Sequence, residues 1–582
     1  MRKQIKSFVA FSLIFGLLAG CGNAQNQTKE SNSNETQTSS TVTSEVISSE
    51  VVENKYPEYL NLDTYRPIVK EDEEITLKVA VVRSTHATNK LEDVWYVRFI
   101  EEELNINLEI EELTSQNVEE RKTLMLASGD LPDMMIDLKF TTNDVMKYGV
   151  DEELFMPISD YFSEELTPNL LYTLENHKAA CNLNTASNGK MYTMPTITET
   201  SATSKGNMPV RRVWIDTKYM AAAGIEELPT TLEGYTEMLR KFKALNPTEM
   251  GVDVVYPMVS AGTYDRLFYL NAFGFMIASA NNPSLPAWDI ETNEVVVPSL
   301  TEKYGEYLAF LNGLYSEGLL HPDYYTMTTV EKRALFASGT VAVMGDSAPF
   351  VSCADTFDDW ISLDALTTEY NPEGAVSRGR DYGLGVVYIA ADTEYPELCL
   401  RLLDWMYSEE GSLYTCYGVP AGSEDTLGMV DGFTIEEGRV FKYGNIGSYD
   451  SDYTYRCNVI QLFEQNSNCA LATEAAYDAV GWNEEITYDM TNGDHNFRVK
   501  LINSKNGPLE ESLPEAFVPA DKLERYTDLS TVIKDYVDAE SAKFVTGQRP
   551  MSEYNDYLAE LKEMGSDEYL ELVRSLYANY ER

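Results

Sequence analysis

The side chains able to do covalent or metal chemistry are few and scattered in this sequence. The four histidines, His86, His177, His321 and His495, lie far apart, and none has the H-E-x-x-H or other close spacing of a metal site. There is no G-x-S-x-G elbow, no phosphate-cradling P-loop and no G-x-G-x-x-G opening a helix. A carboxylate-pair hydrolase is the one enzyme class that spacing does not address, because the pairing is made by the fold. The reading is therefore a protein without enzymatic activity, cofactor or bound metal. What the chain does have is 94 acidic residues beside 38 Tyr, 21 Phe and 6 Trp. A sugar presents apolar C–H faces and many hydroxyls, so its site needs flat rings and hydrogen-bonding carboxylates or amides. Carboxylates accept the stronger, charge-assisted hydrogen bonds.

Such residues have to be held by regular elements, and the apolar pattern places several. ITLKVAVV (75–82) is β-branched and bounded by charges, which predicts a strand. A helix follows over 91–104, then a strand INLEIEEL (106–113), a helix VEERKTLMLASGD ending near Gly129, and a third strand DMMIDL (133–138). Strand–helix–strand–helix–strand with short connections implies a parallel sheet with right-handed crossovers. RRVWI is a later strand. Thr230 or Thr231 caps a helix whose Tyr235, Met238, Leu239 and Phe242 form one apolar face. TVAVMG is a buried strand after a glycine turn. An open α/β sheet binds ligands beyond the carboxyl ends of its strands. That rule selects Arg83, Ser84 and His86 after the first strand, Asp137 and Phe140 after the third, and Asp346 and Phe350 after TVAVMG. Trp95 in the first helix, Trp214 on RRVWI, and Tyr264 and Asp265 of YDRLFYLNAFG complete the candidate ligand contacts. Each could equally be a core aromatic or a solvated acid.

The N-terminus carries the most specific signal. Arg2, Lys3 and Lys6 precede an apolar run from Phe8 to Leu18, about the length of a signal-peptide core and short for a membrane span. It closes on Leu18-Ala19-Gly20-Cys21, which resembles the bacterial lipobox, so residues 1–20 are read as a lipoprotein signal peptide and Cys21 as the lipidated first residue. Acyl chains gain about 0.8 kcal/mol per buried CH₂, enough together for a lasting anchor. Residues 21–71 are read as the lipidated cysteine and a disordered tether, since 22–55 are polar and lack aromatics until Tyr56. A flexible segment of about 45 residues spans roughly 35–40 Å root-mean-square.

Roughly 510 residues remain, more than one hydrophobic core holds and suited to two lobes. The formal charge of −49 makes phosphate backbones and anionic headgroups poor partners. Nucleic acid is accordingly excluded as a partner, and the protein is expected to be a monomer. Six cysteines follow Cys21: Cys181, Cys353, Cys399, Cys416, Cys457 and Cys469. No pairing among them follows from spacing.

In order along residues 75–582 stand LMLASGDLPDMM, GKMYTMP, WIDTKYMAAAGIEELPTTLEGYTEMLRKFKALNP, LNGLYSEGLLHPDYYTM, FASGTVAVMGD, LLDWMYSEEG and KFVTGQRPMSEYNDYLAELKEMG. The series resembles the family 1 (carbohydrate-type) extracellular solute-binding lipoproteins of ABC transporters, in particular their LipO-like branch. The resemblance implies an α/β, two-lobe periplasmic-binding-protein-like fold (type II, maltose-binding-like), with a hinge and a central ligand cleft. It implies lobe 1 at 72–195 plus 340–418, and lobe 2 with the C-terminal helices at 196–339 plus 419–582. It implies capture of a carbohydrate, most naturally an oligosaccharide, for the permease subunits of an ABC importer at the outer face of the cell membrane. Glu199, after GKMYTMP, matches a sugar-contacting glutamate of maltose-binding relatives. Two alternatives stay open: a binding lipoprotein for another solute such as an oligopeptide, and a surface lipoprotein without a transport role. One stretch departs from the family. Where many members carry a calcium loop, NPTEMGVDVVYP (246–257) has Met250, Val254 and Val255 in place of oxygen donors, so no calcium is expected there.

Lipidation is directly testable. Cys21→Ala is expected to leave unprocessed or released protein in a membrane fractionation, and normal membrane retention of that variant contradicts the lipobox reading.

Overall fold

The computed structural model describes residues 55–582 apart from Thr85, 199–212, 261–263, 278–281, Ser347, 350–351, 379–381, Pro420, 424–431, 437–439, 444–446, 450–451, 463–470, 473–506, Asn579 and 581–582. Cys21, Glu199 and Phe350 lie outside the described residues.

The β-branched run predicted near the start forms the strand Thr76–Arg83. It pairs in parallel with Asn107–Thr114 on one side and Met134–Ile136 on the other, with Val79 opposite both Ile110 and Met134. The helices Trp95–Glu102 and Val118–Ser128 make the two crossovers. The second stops at Gly129, whose φ of 71° suits a residue without Cβ. A returning strand, Val387–Ile389, closes this sheet antiparallel to Met134–Ile136. Alternation along Thr76–Arg83 feeds two cores: Leu77, Val79 and Val81 pack on one face, Ala80 and Val82 on the other. This is lobe 1.

Lobe 2 is built on a second four-stranded sheet in the order Trp360–Ser362, Val213–Asp216, Val341–Gly345, Tyr256–Ser260. Val341–Gly345 and Tyr256–Ser260 run parallel, and so closely that a Cβ on Gly345 would lie 2.3 Å from Ser260 Oγ. The predicted face Tyr235, Met238, Leu239 and Phe242 is buried on the helix Leu232–Lys243, capped by Thr231. The helices Glu302–Ser316, Ala520–Thr546, Tyr554–Glu563 and Ser566–Leu576 enclose the same core.

The pairing corrects the lobe limits drawn from the sequence. TVAVMG, assigned to lobe 1 with 340–418, lies inside the lobe 2 sheet, and the chain re-enters lobe 1 only near Tyr382. Tyr455, Ile460 and Leu462 belong to the lobe 1 core, although 419–582 was assigned to lobe 2. The end of the expected tether is also folded. Leu60, Ile68 and Val69 are buried in lobe 1, and Tyr65 donates to the Asp404 carboxylate beneath the Arg401 guanidinium. Asp404 also accepts from Asn169 Nδ2 at 2.9 Å and Leu170 N at 2.8 Å. Rings and aliphatic side chains in 56–69 give that segment enough apolar surface to order.

Two small sheets join the lobes. Thr196–Thr198 lies between Tyr382–Gly383, antiparallel, and Leu471–Ala472, parallel. Val376–Arg378 pairs in parallel with Leu509–Glu511. Here two glycines are obligatory: a Cβ on Gly385 would meet the Met194 carbonyl at 1.9 Å, and one on Gly507 the Gly374 carbonyl at 1.9 Å.

One buried group gives lobe 2 a pH dependence. His321 packs against the Tyr256 ring at 4.5 Å, and its Nδ1 accepts from Asp323 N at 3.0 Å. Burial lowers its pKa, Asp323 partly offsets this, and Lys332 adds to the lowering. The native state therefore holds the neutral imidazole. Its stabilisation is complete above the unfolded value of about 6.5 and is lost as pH falls below it, by at most about 1.4 kcal/mol per unit. His321→Asn keeps an acceptor without titrating. Its urea-unfolding stability is expected to fall less than that of the parent between neutral and mildly acidic pH, and parallel profiles contradict the assignment.

Candidate functional site

The carboxyl end of the lobe 1 sheet is braced by its own side chains. Arg83 is 2% exposed, and its Nη1 donates to the Asn89 carbonyl at 2.9 Å across the loop 84–90. From 370 residues away in sequence, the Asn458 side chain closes the same loop. Its Oδ1 accepts from Thr88 N at 2.6 Å and Asn89 N at 3.0 Å, and its Nδ2 donates to the His86 carbonyl at 2.7 Å. His86 thus stands exposed at the tip of a fixed loop. Next to it, the strand Met134–Ile136 ends in a strained turn. Asp137 and Lys139 have φ of 63° and 58°, and their side chains pair at 2.7 Å. Left-handed backbone at two non-glycine residues persists only where the surroundings enforce it, and such strain clusters at ligand sites.

Several expected contacts face the other way. Trp95 is 1% exposed, enclosed by Phe99 and Tyr414 with ring centroids at 5.0 and 5.8 Å. Phe140 is packed edge-on against Phe155 and Tyr388. Trp214 is buried, and its Nε1 donates to the Asp346 carbonyl at 2.9 Å. Asp346 does emerge after Gly345, but its carboxylate is 0% exposed. It accepts from Arg333 Nε at 3.0 Å, Arg333 Nη2 at 2.9 Å and Ser352 Oγ at 3.0 Å. The sheet rule gave its position correctly, but the nearby guanidinium turned the side chain inward, so Asp346 holds lobe 2 together. Asp265 is also fully buried and accepts from Tyr324 at 2.5 Å, while Tyr264 opens the helix Tyr264–Ala272.

Where the lobes meet there is a pocket of about 350 Å³. Thr142 and Asn143, just past the strained turn of lobe 1, form one wall, and Asn282, Glu515, Tyr526 and Lys534 face them. Thr142 Oγ1 donates to Glu515 Oε1 at 3.1 Å. The Glu515 carboxyl is reached by solvent yet crowded by protein, and this desolvation raises its pKa against the lowering hydrogen bonds from Thr142. Amides, a carboxylate, an ammonium and a phenol ring in one interlobe pocket suit a polar, hydroxylated solute. None of these groups was singled out from the sequence. Glu515 is one acid among 94, and only its proline-bracketed setting, LPEAFVP, marks a chain crossing. Among the described residues no three His, Cys, Asp or Glu side chains gather as a metal site. In the 246–257 stretch Asn246 instead caps the turn Pro247–Met250 and donates to Glu249 at 3.1 Å.

With this geometry the family match is decisive: the model of bacterial extracellular solute-binding proteins matches residues 87–412. The chain belongs to that family. As a solute-binding protein it is 21% identical over 520 residues to the fructooligosaccharide ABC transporter substrate-binding protein FusA of Streptococcus pneumoniae, covering 88% of this chain and 91% of that one. The solved structure of FusA in complex with kestose superposes with a TM-score of 0.70 at 18% identity, covering 87% and 99% of the two chains. A human-milk-oligosaccharide (HMO) binding, ABC-transporter-associated solute-binding protein of Bifidobacterium longum infantis superposes with a TM-score of 0.66 at 17% identity, covering 88% and 99%. These likenesses fix the two-lobe fold.

Two substitutions separate the roles assigned to these acids in the solute-binding protein. Glu515→Gln removes a charged acceptor from the pocket, so solute affinity is expected to fall about 10- to 100-fold with little change in melting temperature. Asp346→Ala strands Arg333 and is expected to cost about 1.5–3 kcal/mol of stability at unchanged affinity. Calorimetric titration and urea unfolding of both variants check the assignment, and the opposite pattern reverses it.

Proposed function

We propose that this solute-binding protein captures an oligosaccharide between its lobes and delivers it to the permease of an ABC importer. The observation that carries the reading is the interlobe pocket with Glu515 on one wall and Asn143 on the other. A site of this kind uses carboxylate and amide acceptors for hydroxyls and a phenol ring for a sugar's apolar face. Similarity to FusA over nearly the whole of both chains supports the transport role, because FusA is named for a fructooligosaccharide ABC transporter. The human-milk-oligosaccharide binding neighbour supports the breadth of sugar classes that this fold accommodates.

The proposal extends to the chemistry left undone. In the pocket the Thr142 hydroxyl donates to the Glu515 carboxylate at 3.1 Å. The bound sugar is read as released unchanged, a reading supported by the similarity to substrate-binding proteins of transporters. The chain acts as a monomer held at the outer face of the cell membrane by the lipid on Cys21, a reading supported by the LAGC motif at residues 18–21.

A thermal-shift screen tests this directly. The arms are fructo-oligosaccharides, milk oligosaccharides, glucans, N-glycans and, as competitors, oligopeptides. A ligand at 100 times its dissociation constant stabilises by about 2.7 kcal/mol, which is read as a melting shift of several degrees. At least one oligosaccharide arm is expected to give that shift and to be recovered intact. A shift with peptides and none with sugars overturns the proposal in favour of a peptide-binding member.

A further inference from the structure

The helix Val118–Ser128 turns one lysine inward. Its buried face runs Val118, Lys122, Met125 and Leu126 at helical spacing, so a charge stands where the core shared with Phe140 calls for an apolar side chain. Lys122 is 7% exposed. Its ammonium donates to the Lys139 carbonyl at 3.3 Å, lies 5.7 Å from the centre of the Phe140 ring and faces Asp144 Oδ2 at 3.9 Å. Toward solvent it meets Glu119 at 2.9 Å, a carboxylate that is 70% exposed. An ion pair with so exposed a partner contributes little, and burying an ammonium is costly unless it is paired and hydrogen-bonded. A methionine would fill most of the same space without that cost. What the lysine adds is its inward contacts.

Those contacts fall on the strained turn. Asp137 and Lys139 hold φ of 63° and 58°, a left-handed conformation that non-glycine residues keep only where neighbouring groups enforce it. The Lys122 ammonium takes the carbonyl of one strained residue, and the Lys139 ammonium ties down the other through the Asp137 carboxylate at 2.7 Å. Beyond the turn, Asp144 belongs to a capping box. Its Oδ2 accepts from Thr141 N at 2.9 Å, and its own N–H donates to Thr141 Oγ1 at 3.1 Å. Lys122 thus faces both ends of the segment 139–144. That segment carries Thr142 and Asn143, the lobe 1 wall of the interlobe pocket, and Thr142 donates across it to Glu515.

We infer that Lys122 is a positioning residue for solute binding: with its ammonium on the Lys139 carbonyl and beside Asp144, it fixes the turn that presents Thr142 and Asn143 to the solute opposite Glu515. The inference rests on the interlobe pocket as the solute seat. Lys122 does not itself line that pocket, so replacing it takes no contact from the solute and acts only through the turn.

Lys122→Met keeps the apolar stem and removes the donor and the charge. In the full chain, hydrogen exchange is expected to show the amides of 139–144 exchanging faster than in the parent, with the strands of the lobe 1 sheet unchanged. Calorimetric titration with kestose and with the milk sugar lacto-N-tetraose reads the binding. For the probe that the parent binds, affinity is expected to fall about tenfold, the effect of one lost hydrogen bond to a charged group, with little change in melting temperature. Because Lys122 acts through the residue opposite Glu515, the losses in Lys122→Met and Glu515→Gln are expected to combine to less than their product in the double variant. Should Lys122→Met fail to fold, Asp144→Asn keeps the cap acceptor and removes the charge facing the ammonium. It is expected to speed exchange of the same amides and to weaken binding to a smaller extent. Parent-like exchange in the turn overturns the inference. So does a lower melting temperature at unchanged affinity while Glu515→Gln still weakens binding. Unchanged affinity in both variants instead removes the pocket as the solute seat, and the inference with it.

Discussion

Two small sheets of paired backbone, Thr196–Thr198 between Tyr382–Gly383 and Leu471–Ala472, and Val376–Arg378 beside Leu509–Glu511, set how the two lobes of this molecule meet. Each lobe closes its own apolar core on its own sheet, so neither needs the other to bury its strands. The connection is correspondingly narrow and rests on backbone hydrogen bonds between segments up to 274 positions apart in the chain, Ile197 with Tyr382 and Leu471. Such pairing tolerates few side chains at its closest points, which explains the glycines at 385 and 507. Closure of two lobes about a hinge is the established motion of periplasmic binding proteins, and two self-sufficient cores with a thin junction are what that motion requires. The site follows from the same arrangement. The loop 84–90 and the strained turn 137–139 end neighbouring parallel strands, and just past that turn Thr142 and Asn143 line the pocket to which lobe 2 supplies Glu515.

Much of this was legible in the sequence wherever local periodicity decides. The strands near 76–83 and 107–114, the helix stop at Gly129 and the buried face of Leu232–Lys243 stand within a residue or two of their expected places. The order of the seven phrases gave the two-lobe class. What periodicity does not encode is partnership. TVAVMG is a continuous apolar strand that either sheet could hold, and its assignment depends on Tyr256–Ser260 and Val213–Asp216 lying beside it. The same reasoning explains the misplaced limits at 340–378 and 419–462.

Side-chain direction was the other gap. The rule for α/β sheets places residues at strand ends and is silent on where their side chains turn. Asp346 meets Arg333, thirteen positions earlier, on the helix that leads into its own strand, and is fully buried by it. Trp95 and Trp214 have too much apolar surface to be left at a cleft edge when a core of the right shape lies beneath them. Glu515 could not be distinguished from its fellow acids, because its role depends on Thr142 standing opposite. The acidic surface and the polar pocket are thus separate features of one composition: the first disfavours anionic polymers, and the second is made by a handful of groups brought together at the lobe junction.

The central claim is that the solute seat lies at this junction and is shared by both lobes. A crystal structure of the full chain with a bound oligosaccharide tests it most directly. Sugar density touching the 84–90 loop or the 137–143 turn on one side and Glu515 on the other is the predicted result. Density confined to a single lobe, with the interlobe pocket empty, would contradict the account.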